Sequence, residues 1–296
     1  MLRLVLPKGS LERATLELFA AADLAVLRSS EVEYRARIED PRVAGVSILR
    51  PQEIPSYVAS GLFDLGITGR DWIEETGAEV VSLGRLGYSK MTSLPIKVVL
   101  AVAASAPVDD EADLAKLADG RNLRVATEYP ALAKRWLADR GIDAEVSYSH
   151  GATEAKIPDV ADAVVEITET GRALRAAGLK VVATLLESHT ELIANPQSAA
   201  DPVRSHAMSQ LKTLLDGALE ARGRVLVKLN VASSRLQEVL DQLPSMRSPT
   251  ISELAGDGGY AVETVVAKAD VNTLIPALKD AGASDILELS LSKIVR

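Results

Sequence analysis

The sequence predicts an α/β protein with a separate, ferredoxin-like α+β domain at its C-terminal end. Three observations carry this. Apolar runs of strand length alternate with helix-period segments through the first two thirds of the 296 residues. The alternation breaks at Asn195–Pro202 and gives way to one amphipathic stretch, Ser205–Ala221. From Arg224 onward the order becomes β-α-β-β-α-β, the order of a ferredoxin-like unit.

Taken in order, Leu2–Leu6 reads as a buried strand, and Leu11–Leu24 places Leu11, Ala14, Leu18 and Ala21 at helical spacing. Ile54–Ser60 reads as a short helix, and the apolar run Leu62–Ile67 leads into Thr68-Gly69. Lys97–Ala103, Leu123–Ala126, Ala144–Ser147 and Ala163–Ile167 read as strands, with helices at Ala112–Leu117 and Ala131–Arg140. Leu174–Ala177, Val181–Leu186 and Glu191–Ala194 complete the pattern, which calls for mostly parallel sheets covered by helices. In the last part Val225–Val231, Ile251–Leu254, Ala261–Val266 and Ile286–Leu291 read as strands, and Ser234–Leu243 and Val271–Ala281 as helices.

Composition narrows the function classes. Lys and Arg number 33 against 41 Asp and Glu, a net charge of −8, which argues against a broad nucleic-acid surface. A few backbone N–H groups can still bind one phosphate without net positive charge. Cysteine is absent, so disulfides, thiol nucleophiles and thiolate metal sites are excluded. Only 3% of residues are aromatic, so the core is built from Ala, Val, Leu and Ile. The opening apolar run is too short for a signal peptide, and no stretch approaches the ~18 uncharged apolar residues of a membrane span. The expectation is a cytoplasmic protein with neither membrane nor nucleic acid as partner.

The most informative segment is Asp162-Ala-Val-Val-Glu166-Ile-Thr168-Glu169-Thr170-Gly171-Arg172-Ala173-Leu174. Strand alternation puts Asp162, Val164, Glu166 and Thr168 on one face, so two carboxylates are expected to converge near the carboxyl end of a strand, where open α/β sheets bind ligands. The following turn opens a helix whose first N–H groups, Thr170–Leu174, suit a phosphate monoester. Thr170 adds a hydroxyl, and Gly171 lets the backbone approach closely. A sugar phosphate reconciles the acids with the phosphate, because carboxylates accept hydrogen bonds from ribose hydroxyls. The alternative is a plain strand–turn–helix corner with a solvated acidic edge.

Other segments add to one site or stand as ordinary structure. Lys8 and Gly9, just past the first strand, can meet a pyrophosphate; Lys8 also reads as a surface lysine. Arg50 follows an apolar run and can clamp phosphates bidentately or form a structural ion pair. Gly66-Ile67-Thr68-Gly69 ends a strand in small residues, which leaves room for a nucleotide or makes a simple turn. Thr127, Tyr129 and Pro130 can wall an adenine, or Tyr129 can belong to the core. His150, His189 and His206 lack metal-ligand spacing, Trp72 and Trp136 read as packing, and Asp109–Glu111 and Glu187–Glu191 read as solvated acidic stretches.

The Asp162–Leu174 segment, with Glu154 upstream, resembles the signature of the ATP phosphoribosyltransferase family. Ala161-Asp162, Glu166 and Thr170-Gly171-Arg172-Ala173-Leu174 match its parts in order, with Ala173 where Thr or Ser is usual. Leu6-Pro7-Lys8-Gly9, Arg50–Pro55, Asp64–Gly69 and Arg124–Pro130 resemble further family segments, with Ser10 and Glu128 as departures from Arg and Lys. Ser248-Pro249-Thr250 and Gly282–Leu287 resemble the regulatory domain of the long-form enzymes.

The resemblance implies a two-lobed, periplasmic-binding-protein-like catalytic part and an ACT-like regulatory domain. The expected division is residues 1–100 and 181–205 for lobe one, 101–180 for lobe two, 206–221 for a connecting helix and 222–296 for the regulatory domain. The implied reaction transfers phosphoribose from 5-phosphoribosyl 1-pyrophosphate to N1 of ATP with Mg²⁺, giving N1-(5-phosphoribosyl)-ATP and pyrophosphate, as the first step of histidine biosynthesis under feedback inhibition by histidine. Glu166, Asp162 and Lys8 are then the catalytic candidates. Thr168, Glu169, Thr170, Gly171, Arg172, Ala173 and Leu174 would hold the phosphoribosyl donor. Gly9, Arg50, Thr68, Gly69, Thr127 and Tyr129 would meet ATP or pyrophosphate. Thr250 and Ser284 are the candidate effector contacts, and a homo-oligomer, dimer to hexamer, is implied. The competing readings are a non-catalytic bilobal sensor and a phosphoribosyltransferase with another acceptor.

Overall fold

The computed structural model describes residues 1–30, 32–88, 96–118, 120–244, 248–256 and 258–296. They divide into two compact units, residues 1–17 with 24–210 and residues 18–23 with 211–296. The chain begins β1 (Leu2–Pro7), α1 (Glu12–Ala21), β2 (Val26–Leu27), β3 (Arg35–Ile38), β4 (Val43–Leu49), α2 (Ile54–Ala59), β5 (Leu65–Gly69), α3 (Arg70–Thr76) and β6 (Val81–Arg85). It continues with β7 (Ile96–Ala103), a 3₁₀ segment at Glu111–Ala118, β8 (Leu123–Thr127), α4 (Pro130–Ala138), β9 (Ala144–Tyr148), β10 (Ala163–Thr168), α5 (Arg172–Ala176), β11 (Leu179–Ser188) and β12 (Thr190–Ala194).

These strands build two sheets within the first unit. One has the order β2-β3-β4-β1-β5-β12-β6, the other β11-β7-β10-β8-β9. β1 runs parallel to β4 and β5, and β8 parallel to β9 and β10. The remaining pairs are antiparallel, so the expected mostly parallel sheets are mixed sheets. The reason is connectivity: the chain enters the second sheet on β7 and leaves it on β11, and those two strands pair antiparallel with Ile96 opposite Ser188. Each of Leu2, Leu4 and Leu6 is at most 2% exposed, and burying such a side chain stabilises by about 1.5–3 kcal/mol. Leu100, Val102, Val125, Trp136 and Val165 form the equivalent core under the second sheet.

The two-lobed architecture is therefore present, with different limits. Boundaries at 100/101 and 180/181 would cut β7 and β11 in mid-strand, where the ladder is continuous. The second sheet takes both strands whole, so its lobe runs from Ile96 to Ser188. β2, β3, β4 and β6 have no counterpart among the predicted elements.

A short helix and a long one follow β12. α6 (Pro196–Ala200) is capped by Asn195, whose side chain accepts from Ser198 N at 3.0 Å. α7 (Pro202–Ala221) starts four positions before the predicted 206, because the Asp201 carboxylate accepts from Val203 N at 3.0 Å and Arg204 N at 2.9 Å. Pro202 suits the first helical position, where no N–H is needed.

The second unit holds β13 (Arg224–Ala232), α8 (Leu236–Gln242), β14 (Thr250–Glu253), β15 (Gly259–Ala267), α9 (Val271–Asp280) and β16 (Ala283–Ser290). Its fully antiparallel sheet has the order β14-β15-β13-β16, a ferredoxin-like arrangement. Val225, Val227, Leu229 and Val231 alternate onto one face and pack with Val239, Leu274 and Leu278 of the helices. Among the described residues no helix is long and apolar enough to cross a membrane.

Candidate active site

In the first sheet, the parallel strands β1, β4 and β5 end together at Pro7, Leu49 and Gly69. That edge gathers Lys8, Gly9, Arg50, Thr68 and Gly69. Lys8 N donates to Leu49 O at 2.7 Å, and its ammonium lies 4.0 Å above the centre of the Tyr34 ring. Gly9 sits at φ +84 with its N–H near Glu12 Oε2, 3.3 Å away. The Arg50 side chain is exposed. Thr68 is buried and its hydroxyl donates to Pro51 O at 2.8 Å, so this hydroxyl fixes the Arg50–Pro51 loop. At Gly69 a Cβ would lie 2.1 Å from Asp71 Oδ1, which is why no side chain fits there.

The second sheet presents its own carboxyl edge, where β8, β9 and β10 end at Thr127, Tyr148 and Thr168. Glu166 is half-buried near it, and its Oε1 accepts from Ile167 N at 2.9 Å. Burial, followed by the nearby charges of Glu128 and Glu154, pushes its carboxyl up from the ordinary range. Beyond Thr168 the chain turns through Gly171 at φ +70 into α5. Leu174, 3% exposed, anchors the turn in a cluster with Val99, Val164 and Leu179.

The turn is partly closed on itself, which narrows the expectation that all its N–H groups point outward. Gly171 N donates to Thr168 Oγ1 at 2.7 Å, and Arg172 N approaches Thr170 Oγ1 at 3.4 Å. Arg175 Nη2 donates to Thr170 O at 3.0 Å and brings its guanidinium over the turn. Ala173 N and Leu174 N have no acceptor among the described residues. Glu169, Thr170, Arg172 and Ala173 therefore line a corner with two open backbone donors and an adjacent cation.

Asp162 does not join this corner. It lies just before β10, at the opposite end of the sheet, about 13 Å from Glu166 by strand rise. Arg121 Nη1 and Nη2 donate to it at 2.6 and 2.8 Å, and Arg124 N and Nη2 at 2.9 and 2.8 Å. These bonds hold its carboxyl well below the usual range. Alternation gave Asp162 and Glu166 a common face, but they do not share an end.

Thr127 and Tyr129 are also more deeply placed than an adenine wall requires. Thr127 Oγ1 donates to Val165 O at 2.8 Å and accepts from Tyr129 N at 2.9 Å. Tyr129 is 2% exposed, stacks on Trp72 with ring centres 4.4 Å apart, and donates its hydroxyl to Asp71 Oδ2 at 2.8 Å. Its phenol is pushed up by burial and by the Asp71 charge. Asp71 Oδ1 in turn accepts from Ser188 Oγ at 2.5 Å, and burial pushes the Asp71 carboxyl up as well. Glu75 accepts from Ala131 N and Leu132 N at 2.9 and 2.8 Å, capping α4 from α3. The two carboxyl edges thus meet at Asp71 and Tyr129, each just past the end of its strand.

Sequence reasoning missed this junction, because the partners lie 58 and 117 positions apart; the local signal was an Asp in the first turn of a helix after Gly69. The acidic stretch Glu187–Glu191 also needs correction. Glu187 is exposed beside Lys97, but Glu191 is 3% exposed on β12 and accepts from Ser82 Oγ at 2.7 Å and His189 Nε2 at 2.8 Å. Thr250 and Ser284 stand on β14 and β16, opposite edges of the four-stranded sheet, about 14 Å apart at the usual strand spacing. One copy of the sheet does not bring them into a single pocket. Among the described residues no three carboxylates or imidazoles converge as metal ligands.

Comparisons with known proteins fit this geometry. The family model described as HisG, ATP phosphoribosyltransferase, matches residues 50–217, and that of the HisG C-terminal domain matches residues 221–293. ATP phosphoribosyltransferase of Pelotomaculum thermopropionicum is 44% identical over 294 residues, 99% of each chain. That of Chlorobium luteolum is 44% identical over 295 residues, 100% of this chain and 98% of the relative. A chain of the ATP phosphoribosyl transferase (HisG:HisZ) complex from Thermotoga maritima shares the fold, with a TM-score of 0.61 at 22% identity, over 73% of this chain and 96% of that one. Fold, site and relatives define a two-lobed α/β transferase of the glycosyl class, so the sensor reading is set aside. The chain belongs to the ATP phosphoribosyltransferase family, which carries out the first step of histidine biosynthesis.

Proposed function

We propose that this chain transfers the 5-phosphoribosyl group of 5-phosphoribosyl 1-pyrophosphate to N1 of ATP. The bond from ribose C1 to the pyrophosphate oxygen breaks, the bond from C1 to adenine N1 forms, and pyrophosphate leaves. The observation that carries the reading is the meeting of two complementary edges: open N–H groups and a carboxylate on one, Lys8 and Arg50 on the other.

In this reading Ala173 N and Leu174 N, with Thr170 and Arg172, bind the 5-phosphate, and Glu166 accepts from the ribose hydroxyls. Lys8, Gly9 and Arg50 bind pyrophosphate or the ATP phosphates. Adenine N1 carries a lone pair and needs no deprotonation, so little acid–base work is required. Catalysis then rests on orientation, worth about 7–11 kcal/mol when reacting groups are fully aligned, and on charge stabilisation at an oxocarbenium-like ribose. Thr68, Gly69, Thr127 and Tyr129 shape the walls from behind, through the backbone they hold.

Mg²⁺ is part of the proposal as an ion carried by the diphosphate, which is how this cation is commonly bound. The described residues form no cage of their own for it, so no step is assigned to a protein-held metal. The C-terminal unit is proposed to bind histidine as inhibitor, the chain to assemble as a homo-oligomer, and the cytoplasm to be its compartment. A spectrophotometric assay with ATP, phosphoribosyl pyrophosphate and Mg²⁺, with and without histidine, tests the reading. Product formation that falls on adding histidine is expected; no product would overturn the assignment, and product insensitive to histidine would remove the effector role.

A further inference from the structure

Along the carboxyl edge of the first sheet, Lys8 is held differently from Arg28 and Arg70. Arg28 pairs with Glu12 at 2.8 Å, and Arg70 pairs with Glu74 and lies 3.7 Å from Glu191. Lys8 has no carboxylate within ion-pair distance among the described residues. Its ammonium rests instead on the Tyr34 ring, 4.0 Å from the centre. The backbone sets this up. Ile48 N donates to Tyr34 O at 2.8 Å and Lys8 N donates to Leu49 O at 2.7 Å, so β4 carries the two residues on its two flanks. The β1–β4 register ends with Pro7 beside Leu49, and one step further brings Lys8 beside Arg50.

We propose that Tyr34 is a positioning residue: its ring holds the Lys8 ammonium, still fully charged, at the place where a polyphosphate docks. This rests on the phosphate-binding role given to Lys8 above. A carboxylate in the same spot would also fix the ammonium, but it would neutralise the charge and have to be displaced by the incoming anion. An aromatic face attracts an ammonium through its quadrupole and carries no net charge. The ammonium has three N–H donors, and those turned away from the ring stay open to phosphate oxygens. Without the ring, the flexible four-carbon stem of Lys8 would take many rotamers, which ligand binding would then have to freeze. Tyr34 is 56% exposed and its hydroxyl has no hydrogen-bond partner among the described residues. Neither core packing nor a hydrogen bond therefore accounts for an aromatic residue at this position.

Isothermal titration of the full chain with magnesium pyrophosphate and with magnesium ATP tests this without turnover. Lys8→Met should lose about tenfold or more in affinity for whichever of the two polyphosphates Lys8 meets. Tyr34→Leu should weaken the same ligand about two- to fivefold, the range for an exposed cation–π contact. Tyr34→Phe, which keeps the ring face and drops only the hydroxyl, should bind like the parent. Beside Lys8→Met, Tyr34→Leu should bring no further loss, since the ring then has no ammonium to hold. Thermal unfolding of the Tyr34 variants should match the parent, as expected of an exposed side chain, which separates lost affinity from lost fold. Parent-like affinity in Tyr34→Leu, equal losses in Tyr34→Leu and Tyr34→Phe, or a loss that persists beside Lys8→Met would each overturn the proposal. If Lys8→Met binds both polyphosphates as the parent does, the Lys8 assignment itself falls, and Tyr34 has nothing to position.

Discussion

Tyr129 Oη donates to Asp71 Oδ2 at 2.8 Å and thereby ties the start of α4, under the second sheet, to the first turn of α3 beside the first. The acceptor is a carboxylate buried enough that its proton affinity is raised despite the two hydroxyls it receives. A junction built this way holds the ends of β5 and β8 together while the Lys8–Arg50 edge and the Glu166 edge stay outside it.

Tyr129→Phe removes one donor from Asp71 and keeps the ring stacked on Trp72. The expected cost is about 1.5–3 kcal/mol at pH 7, the range for a hydrogen bond to a charged group. The sign with pH follows from the raised carboxyl of Asp71. A group of this kind favours the fold most when protonated, below its unfolded value, and that contribution is lost as pH rises through the folded value. The variant should therefore lose more stability at pH 7 than at pH 4. Urea unfolding at the two pH values measures it, and an equal loss at both would show that Asp71 is not the acceptor that matters.

Asp162→Asn tests the opposite case. The Arg121 and Arg124 bonds lower this carboxyl, so its stabilisation is present above the unfolded value near 4 and disappears as pH falls through the folded one. Both arginines are more than a third exposed, which screens the pairs, and a loss of about 1 kcal/mol at pH 7 is expected, shrinking below pH 4. Because Asp162 sits at the far end of β10, KM for phosphoribosyl pyrophosphate should stay within about twofold, below what loss of a direct hydrogen bond to substrate would cost. A tenfold rise in KM with unchanged stability would return Asp162 to the binding corner.

Gly69→Ala puts a methyl group where Asp71 Oδ1 now lies. Asp71 has to move, and with it the bonds to Tyr129 and Ser188. A loss of about 2–4 kcal/mol is expected, in the range of overpacked sites that also break a buried network, and differential scanning calorimetry would show the melting point falling by several degrees. A variant as stable as the parent would mean that the carboxylate has a second resting place.

Much of this was legible in the chain itself. The β-α-β-β-α-β order from Arg224 follows from clean alternation, with Val225, Val227, Leu229 and Val231 all turning to the helices. The Thr168–Leu174 turn was readable because Gly171 and Leu174 each have one job, a left-handed backbone and a core anchor. β3 was not, since Arg35-Ala-Arg-Ile38 is half charged and pairs with β4 through only two residues. Period-two reasoning assigns a face and is silent about which end of a strand a ligand meets, so Asp162 was grouped with Glu166. Ser149 and Thr153, whose hydroxyls lie 2.8 Å apart and which are both buried in the loop after β9, gave no sequence signal beyond small polar residues after a strand.

Ile96 and Ser188, the residues on which the chain enters and leaves the second sheet, face each other across a single rung of the β7–β11 ladder. Two tethers that emerge side by side fasten a body along one line, as a pair of adjoining pins fastens a door. A swing of the sheet about that line leaves the rung between Ile96 and Ser188 in place. Asp71 grips Ser188 at the foot of one pin, so its hydrogen bond is the natural place for the swing to be stiffened or freed.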